Sequence, residues 1–358
     1  MAYFNYNRRK SSVAQIGDTP MGGENPIRIQ SMANVSTMDT EAAVAQAIRM
    51  IEAGAEYVRF TAQGEREARN LGEIRKQLNE QGYTTPLVAD IHFNPRAADA
   101  AAGEVEKVRI NPGNYVDKVK TFSHLEYTDE EYAAEIEKIR ERFVPFLNIC
   151  KAHGTAIRIG VNHGSLSDRI MSRYGDTPEG MVASCMEFLR ICREENFPDV
   201  VISIKASNTV VMVRTVRLLV RTMEAENMHY PLHLGVTEAG DGEDGRIKSA
   251  VGIGTLLCDG IGDTIRVSLS EDPEAEMPVA RKLVDYIRER ENHRPIEASM
   301  APGFDTVATS RRISRVVEGI GGTFSPVVIS DRSSGDFEFD YLSLPDYIYL
   351  SLIHISEP

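Results

Sequence analysis

The sequence is poor in cysteine, and the cysteines that it has are widely separated. Cys150, Cys185, Cys192 and Cys258 include no C-x-x-C pair, and the sequence has no cysteine after Cys258. This spacing argues against both a disulfide framework and a zinc site. We therefore interpret the four cysteines as small residues of the core.

The chain also lacks an excess of positive charge and a long apolar run. Its 53 acidic and 40 basic residues give a net charge of -13, which argues against a nucleic acid or an anionic membrane bound through bulk charge. Any bound anion must therefore be held by a local cluster of cations. No window of about 18 apolar residues occurs, and no apolar segment follows the basic run at residues 8–10. We predict a cytoplasmic protein.

Short runs rich in β-branched residues alternate with helical stretches from residue 27 to residue 291. Strict alternation of eight strands and helices over about 250 residues is typical of a TIM barrel, so we predict an α/β fold of the (β/α)8 type. A doubly wound open sheet is the alternative, but its doubly covered strands would be more uniformly apolar. The predicted strands are 27–32, 57–62, 86–91, 107–111, 156–162, 200–206, 231–236 and 264–269.

Several helix boundaries are also legible in the sequence. The first helix is predicted to follow Asp39 and to end before Gly54, a glycine at the usual place for a helix C-terminus. Thr128 and Glu131 have the spacing of a capping box, ahead of a helix that Pro145 is expected to kink. Two further helix starts are predicted from a capping residue followed by proline, at Thr177-Pro178 and Asp272-Pro273.

These signals divide the chain into four parts. Residues 1–26 are predicted to form an extension that closes the barrel, and residues 27–291 to form the barrel itself, which binds the substrate. Residues 292–350 have one short helical candidate and one strand candidate, so we predict that they begin a further, incomplete domain. The last part, 351–358, continues no pattern, and we interpret it as a non-native tail.

Cations recur near the carboxyl ends of the predicted strands, where a TIM barrel binds its substrate. Two unit charges about 8 Å apart repel by roughly 2 kcal/mol at an effective dielectric constant near 20, so several of them around one mouth favour a bound anion. The planar fork of arginine matches phosphate oxygens, and this number of forks favours a diphosphate over a single phosphate. Any single arginine has the alternative of an outward ion pair. We call Arg59, Arg109, Arg158, Lys205 and Arg266 the strand-end cations.

Polar residues accompany the strand-end cations, and they complete the candidate site. Glu238 is the better candidate acid, since it lies in a turn that faces several cations, and Asp90 is the other candidate carboxylate. Charge balance for Lys205 or Arg266 is the alternative role of Glu238. The remaining predicted binding residues are His92, Asn111, Asn162, Thr237 and Ser268.

Three other features of the sequence are residues 240–245, Lys205 and the histidines. The stretch GDGEDG at residues 240–245 matches a dinucleotide-binding pattern, but its acidic residues would repel a pyrophosphate, so we predict a loop. Lys205 has a Schiff-base lysine as its alternative role. His233 is predicted to be a satisfied core residue, and the role of His163 stays open. No pair of histidines has metal-ligand spacing with a carboxylate.

Taken together, the motifs resemble the 4-hydroxy-3-methylbut-2-enyl diphosphate synthase family of isoprenoid biosynthesis. The resemblance runs in order from residue 10 to about residue 285. It implies a homodimer that reductively opens 2-C-methyl-D-erythritol 2,4-cyclodiphosphate, with the strand-end cations and their polar neighbours on the substrate and with Glu238 as proton donor near Asp90. The motifs are IQSMANVSTMDT, VADIHFNP, VRINPGN, IRIGVNHGSL, SIKAS, PLHLGVTEAGDG, KSAVGIGTLL and GIGDTIRVSLSEDP.

The resemblance also implies a [4Fe-4S] cluster, held by three cysteines and a glutamate of a separate C-terminal domain and supplied with electrons by a ferredoxin or flavodoxin. This sequence departs from that pattern, because it contains no cysteine after Cys258. We therefore expect no cluster ligand in this chain and interpret it as the barrel part of the longer, insert-containing variety, able to bind substrate without reducing it. A non-catalytic barrel that binds a phosphorylated metabolite, or a lyase using Lys205, stays open as an alternative.

Overall fold

The computed structural model describes residues 5–91, 93–116, 126–299, 303, 305, 311–334 and 344–350. The chain divides into two compact units, Met1–Val307 and Ala308–Pro358. The predicted tail at 351–358 lies outside the described residues, and the predicted domain boundary at residue 291 stays a prediction.

The first unit is built around eight parallel strands, as predicted. Their order is β6-β5-β4-β3-β2-β1-β8-β7, and the ring is completed by a parallel bridge between Ile202 and Leu232. The fold is therefore a nearly closed TIM barrel, and the open-sheet alternative is wrong. The strands are β1 Arg28–Met32, β2 Tyr57–Ala62, β3 Leu87–Ile91, β4 Lys107–Ile110, β5 Ala156–Asn162, β6 Val200–Lys205, β7 His233–Leu234 and β8 Thr264–Ile265.

Helices surround the barrel and cover the outward faces of its strands with apolar side chains. A π-helical turn at Ala250–Gly254 joins two of these helices, and a 3-10 turn at Pro273–Ala275 precedes the last one. The helices are α1 Thr40–Glu52, α2 Glu65–Glu80, α3 Pro95–Ala101, α4 Pro112–Tyr115, α5 Asp129–His153, α6 Asp168–Tyr174, α7 Pro178–Glu194, α8 Thr209–Ala225, α9 Gly242–Ser249, α10 Thr255–Cys258 and α11 Glu276–Arg288.

The predicted capping residues begin these helices, with one exception. The side chain of Asp39 accepts a hydrogen bond from the Ala42 N–H at the start of α1, and the capping box of Thr128 and Glu131 is present at the start of α5. Helix α5 continues through Pro145. The exception is the Asp272-Pro273 pair, which begins the 3-10 turn and makes no side-chain cap.

The N-terminal segment covers the amino-terminal end of the barrel. Ala14 and Met21 form an antiparallel bridge, and their side chains are fully buried. They belong to a small apolar cluster that includes the first inward-facing residues of four strands. Its members are Ala14, Ile16, Met21, Tyr57, Val88, Ala156 and Val201.

The cysteines lie in the helical layer rather than in the barrel. Cys150, Cys185 and Cys192 are buried, as predicted, whereas Cys258 is exposed, so the core role predicted for it is wrong. Burial raises the pKa of the three buried thiols, which keeps them protonated.

The second unit contains two short strands among its described residues, β9 Ile329–Asp331 and β10 Tyr347–Tyr349. They pair in parallel, with Ile348 opposite Ser330. Across the described residues of the whole chain, none of the helices has both the length and the apolar character that a membrane span requires.

Candidate active site

The strand-end cations converge on the carboxyl end of the barrel. Arg59, Arg109, Arg158 and Lys205 occupy inward-facing positions, because side chains alternate between the two faces of a strand and these four share the parity of the inward apolar cluster. Arg266 lies one residue beyond β8. These cations also affect one another. Burial is the main cause that lowers the pKa of Arg158, and the charges of Arg59, Arg109 and Arg266 lower it further. Like charges from four different strands therefore share one small volume, as the sequence predicts.

Asp90 holds two of these cations in place. Arg59 donates from Nη2 to Asp90 Oδ2, and Arg109 donates from Nη1 to Asp90 Oδ1 at 3.1 Å. The Asp90 side chain is completely buried. A buried carboxylate between two guanidinium groups is an electrostatic anchor, so the structure places Asp90 as a support for Arg59 and Arg109. Its predicted role as an acid stays a prediction.

Two glycines make the room that the long cationic side chains need. Arg109 crosses toward β5 and donates from Nη2 to the Gly160 carbonyl oxygen at 2.8 Å. A Cβ at Gly160 would overlap Arg109 Nε and lie 3.1 Å from Ser203 Oγ. A Cβ at Gly235 would lie 3.0 Å from Lys205 Nζ. These glycines therefore allow close side-chain approach inside the barrel.

Arg266 has a partner that the sequence analysis did not identify. Its Nη2 donates to Glu276 Oε1 at 3.3 Å, and the same oxygen accepts from the Leu269 N–H at 3.2 Å. The other oxygen of Glu276 lies 3.4 Å from Ser31 Oγ. Burial raises the pKa of Glu276, while Arg266 lowers it. An acidic residue in the first turn of a helix normally reflects the helix dipole, so the sequence carried no clear signal of this contact.

Arg158 and Lys205 have no ion pair with any carboxylate in the described part of the chain. Arg158 is fully buried, and its Nε and Nη1 have no hydrogen-bond partner there. Burial and the neighbouring guanidinium groups lower the pKa of Lys205 well below its ordinary value. These two side chains are the part of the site that most strongly favours a bound anion.

A second layer of polar side chains lies deeper in the barrel, and it was not predicted from the sequence. We call Gln30, Lys107, His233 and Thr264 the lower layer; each is at most 1% exposed, and each has side-chain polar atoms without a partner among the described residues. Lys107 Nζ lies 4.1 Å from the centroid of the Tyr57 ring. Lys107 and Arg109 are two residues apart on one strand, and such residues point to the same face. The sequence therefore contained a signal that Lys107 also faces inward.

His233 is buried, as predicted, but it is not satisfied. Neither ring nitrogen has a hydrogen-bond partner in the described part of the structure. Burial, followed by Arg158, Lys205 and Lys107, lowers its pKa well below the ordinary value. The prediction of a satisfied core histidine is therefore wrong, and the charged groups that act on His233 are all cations.

The predicted polar residues have different surroundings. Asn111 accepts from the Gly113 N–H and donates to Ser165 Oγ, each at 3.1 Å, so it caps α4 and is already occupied. The Asn162 amide oxygen lies 3.2 Å from Arg109 Nη2 once the amide is oriented to satisfy both groups. Thr237 and Ser268 are half-buried beyond the ends of β7 and β8. His92 lies outside the described residues.

Glu238 is exposed, and its backbone is in the left-handed region with φ of 51°. That region is unfavourable for a residue with a side chain, and such strain concentrates at functional sites. Lys248 donates to the Glu238 carbonyl oxygen at 3.1 Å.

The GDGEDG stretch that follows is not simply a loop, because Asp241 caps the start of α9. His163 lies with its Nε2 3.6 Å from Asp176 Oδ1.

A model of one protein family matches most of the first unit, over residues 11–281, and its description is the GcpE TIM-barrel domain. This chain belongs to the GcpE family. Similar curated proteins are 4-hydroxy-3-methylbut-2-en-1-yl diphosphate synthases (flavodoxin) from Bacteroides thetaiotaomicron, 69% identical over 349 residues, and Phocaeicola vulgatus, 70% identical over 349 residues. Each alignment covers 98% of this chain and 57% of the relative. The family resemblance predicted from the motifs is thus confirmed, and the chain spans little more than half the length of these relatives.

Solved structures with the same architecture are far more distant. An N-acetylneuraminic acid (sialic acid) synthetase from Leptospira borgpetersenii matches with a TM-score of 0.50 and 12% identity, over 82% of this chain and 94% of that one. A 3-dehydroquinate dehydratase from Geobacillus kaustophilus matches with a TM-score of 0.50 and 11% identity, over 79% of this chain and 100% of that one. At such identities the likeness supports the barrel fold alone.

The described residues of this chain do not fit the iron-sulfur cluster that the family resemblance implies. Such a cluster requires a group of converging thiolates. Within the described ranges, no three His, Cys, Asp or Glu side chains come together closely enough to hold a metal ion. The buried thiols of the helical layer are also kept protonated, as noted above. No cluster chemistry is therefore assigned to these residues.

Proposed function

We propose that this chain is the substrate-binding barrel of a 4-hydroxy-3-methylbut-2-enyl diphosphate synthase and that its mouth binds 2-C-methyl-D-erythritol 2,4-cyclodiphosphate. The observation that carries this proposal is the pair Arg158 and Lys205, which are enclosed among other cations and have no carboxylate partner in the described part of the chain. The names of the relatives, which are synthases of 4-hydroxy-3-methylbut-2-en-1-yl diphosphate, support a diphosphate ligand.

The charges of the site fit a ligand with two phosphoryl groups. Five strand-end cations belong to the site, and the buried carboxylates of Asp90 and Glu276 pair with three of them. Because planar guanidinium groups bind pairs of phosphate oxygens, the unpaired Arg158 and the anchored Arg59 and Arg109 are suited to hold two linked phosphoryl groups.

The proposed reaction is the reductive opening of the cyclic diphosphate, and this chain supplies only part of it. Arg158 and Lys205 bind the phosphoryl oxygens, Arg109 and Arg266 orient them, and Glu238 supplies a proton to a departing oxygen. We assign the [4Fe-4S] cluster, and the electrons that a flavodoxin or ferredoxin delivers, to the part of the relatives that this chain does not match. We further propose that the complete enzyme is a cytoplasmic homodimer.

Binding measurements on this chain test the proposal. In isothermal titration calorimetry the cyclic diphosphate should bind the wild-type chain, and Arg109→Ala, Arg158→Ala and Arg266→Ala should each weaken binding by about tenfold or more. Arg190→Ala is the matched control, because Arg190 pairs with Glu226 on the outside of the barrel. Equal binding by the wild type and all three mouth variants would remove the proposal.

A lyase that uses Lys205 is the second candidate, and one observation favours it. Burial and four guanidinium groups lower the pKa of Lys205, and the uncharged amine is the form that attacks a carbonyl group. The amine would displace water from a keto substrate to form an imine, and borohydride would reduce that imine to a stable secondary amine. Mass spectrometry should then show an adduct on Lys205; its absence across keto substrates counts against this candidate.

A non-catalytic barrel that binds a phosphorylated metabolite is the remaining alternative. It predicts the same binding data as the synthase barrel, so binding alone does not separate the two. The natural coding sequence downstream of Tyr349 separates them. Three cysteines and a nearby glutamate there favour the synthase, and a continuation without them favours the non-catalytic barrel.

A further inference from the structure

We infer that Lys205 is an uncharged amine in the free barrel and that it takes up one proton when the cyclic diphosphate binds. The inference rests on the proposed function and adds to it: the ligand itself creates the ammonium group that then binds it. The bound complex thereby acquires a proton donor that the free site does not have.

The position of Lys205 leads its amine into the cationic centre of the mouth. Lys205 is the last residue of β6, and the residue is half-buried. The Lys205 side chain packs against Gly235, which follows β7. A Cβ at Gly235 would lie 3.0 Å from Lys205 Nζ and 3.1 Å from Lys205 Cε. The absence of a side chain at Gly235 therefore leaves room for the Lys205 amine.

The groups that surround Lys205 repel a positive charge on it. The two buried carboxylates of the site do not compensate, since Asp90 pairs with Arg59 and Arg109 and Glu276 pairs with Arg266. No ion pair to Lys205 exists within the described residues. The charges that act on it are those of Arg59 on β2, Arg109 on β4, Arg158 on β5 and Arg266 beyond β8, and His233 on β7 is its titratable neighbour. The other titratable groups of the barrel interior are Asp90 on β3, Lys107 on β4 and Glu276 on α11.

Lysine is the residue of this cluster that can relieve the repulsion. Arginine stays protonated in proteins, whereas a lysine amine loses its proton when it is desolvated or placed beside other cations. Burial and the neighbouring guanidinium groups accordingly lower the pKa of Lys205 well below its ordinary value. In the free barrel Lys205 therefore carries no positive charge.

A bound diphosphate reverses this balance. Its ionised oxygens lie among the guanidinium groups and bring negative charge next to Nζ, which favours the ammonium form. One proton then passes from buffer to the amine, which converts a neutral R–NH2 group into R–NH3+. No other reactant is required.

Lys107 is the other lysine of the interior, and its position separates it from the mouth. It pairs in register with Val88 and Ala156 of the apolar cluster at the barrel floor. Its amine lies over the Tyr57 ring. Lys107 is the first residue of β4 and Lys205 the last residue of β6, so we expect a ligand held by the strand-end cations to contact Lys205 and not Lys107.

Titration calorimetry in buffers of different ionisation enthalpy tests the inference. At one pH near neutrality, the observed binding enthalpy of the cyclic diphosphate should vary linearly with buffer ionisation enthalpy, with a slope that corresponds to about one proton taken up. Lys205→Arg should bind with a slope near zero, because arginine is already charged. Lys205→Met should bind at least about tenfold more weakly, also with a slope near zero. Lys107→Met should keep the wild-type slope.

Each outcome has a distinct meaning. Wild-type binding with a slope near zero overturns the inference and leaves the proposed function intact. A slope retained in both Lys205 variants, or lost in Lys107→Met, also overturns it, because the proton then goes elsewhere. Absence of wild-type binding in every buffer overturns the proposed function and this inference together. Circular dichroism of each variant shows whether the barrel is folded.

Discussion

Arg109 donates a hydrogen bond to the carbonyl oxygen of Gly160, on the next strand, and it can do so only because Gly160 has no side chain. The strand thus provides both the acceptor for the guanidinium group and the space that this group occupies. The position of Arg109 therefore depends on a glycine, Gly160, in the neighbouring strand.

Gly160→Ala should weaken binding of the cyclic diphosphate by about tenfold or more, because the new Cβ would displace the Arg109 side chain from its place beside Asp90. Calorimetric titration measures this change. Gly254→Ala is the matched control, since a Cβ at Gly254 meets nothing within 4 Å. Unchanged affinity in Gly160→Ala would show that the position of Arg109 does not matter for the ligand.

Glu276→Ala should lower the free energy of unfolding by about 3 kcal/mol, because it leaves the half-buried Arg266 guanidinium without its ionic partner. Arg266→Met should destabilise the barrel as well, by leaving the buried Glu276 carboxylate without its cation. The double variant Arg266→Met with Glu276→Met should lose less than the sum of the single losses, with a coupling of at least about 1 kcal/mol in urea unfolding. Strict additivity would contradict the pairing.

His233 should make stability depend on pH in mildly acidic solution. Burial lowers its folded-state pKa well below 6.5, so the unfolded chain binds a proton that the folded chain does not. Stability from this group is present above pH of about 6.5 and falls by about 1.4 kcal/mol per pH unit below it, until the folded-state pKa is reached.

His233→Leu should remove this part of the pH dependence. Urea unfolding at about pH 7 and about pH 5.5 should show a smaller loss for His233→Leu than for the wild type. His153→Leu, at an exposed histidine of α5, is the control variant. Identical slopes in all three proteins would mean that His233 binds its proton in the folded state.

Glu238→Gly should raise the free energy of unfolding or leave it unchanged, since Gly avoids the cost of about 1 kcal/mol that the left-handed backbone imposes on residue 238. Glu243→Gly, in the first turn of α9, should instead cost about 1 kcal/mol. Urea unfolding compares the two. A similar loss in both variants would argue that the Glu238 side chain itself stabilises the fold.

The repeating pattern of the sequence was sufficient to predict the strands but not their lengths at the point of closure. β2 and β5 have the predicted bounds, 57–62 and 156–162, whereas β7 and β8 are two residues each instead of six. Side-chain alternation is a local property of the backbone. Whether β7 continues to pair beyond Leu234 depends instead on the positions of the neighbouring strands where the barrel closes.

The candidate site shows the same division between local and distant effects. The motif around Arg109 indicated a cation at a strand end, but its contacts with Asp90 and Gly160 join strands 19 and 51 residues apart. Glu276 was missed because an acidic residue at a helix start has an ordinary local explanation. The lower layer was missed because burial and missing partners are properties of the assembled barrel.

The sequence by itself determined the eight-strand pattern and the recurrence of Arg, Lys and polar residues at the strand ends, since backbone periodicity fixes which side chains share a face. Only the tertiary structure decided which cations have partners and how deeply Lys107 and His233 lie. It also decided that Lys205 is left among guanidinium groups. The physical reason is that desolvation and charge interaction depend on neighbours brought together from distant parts of the chain.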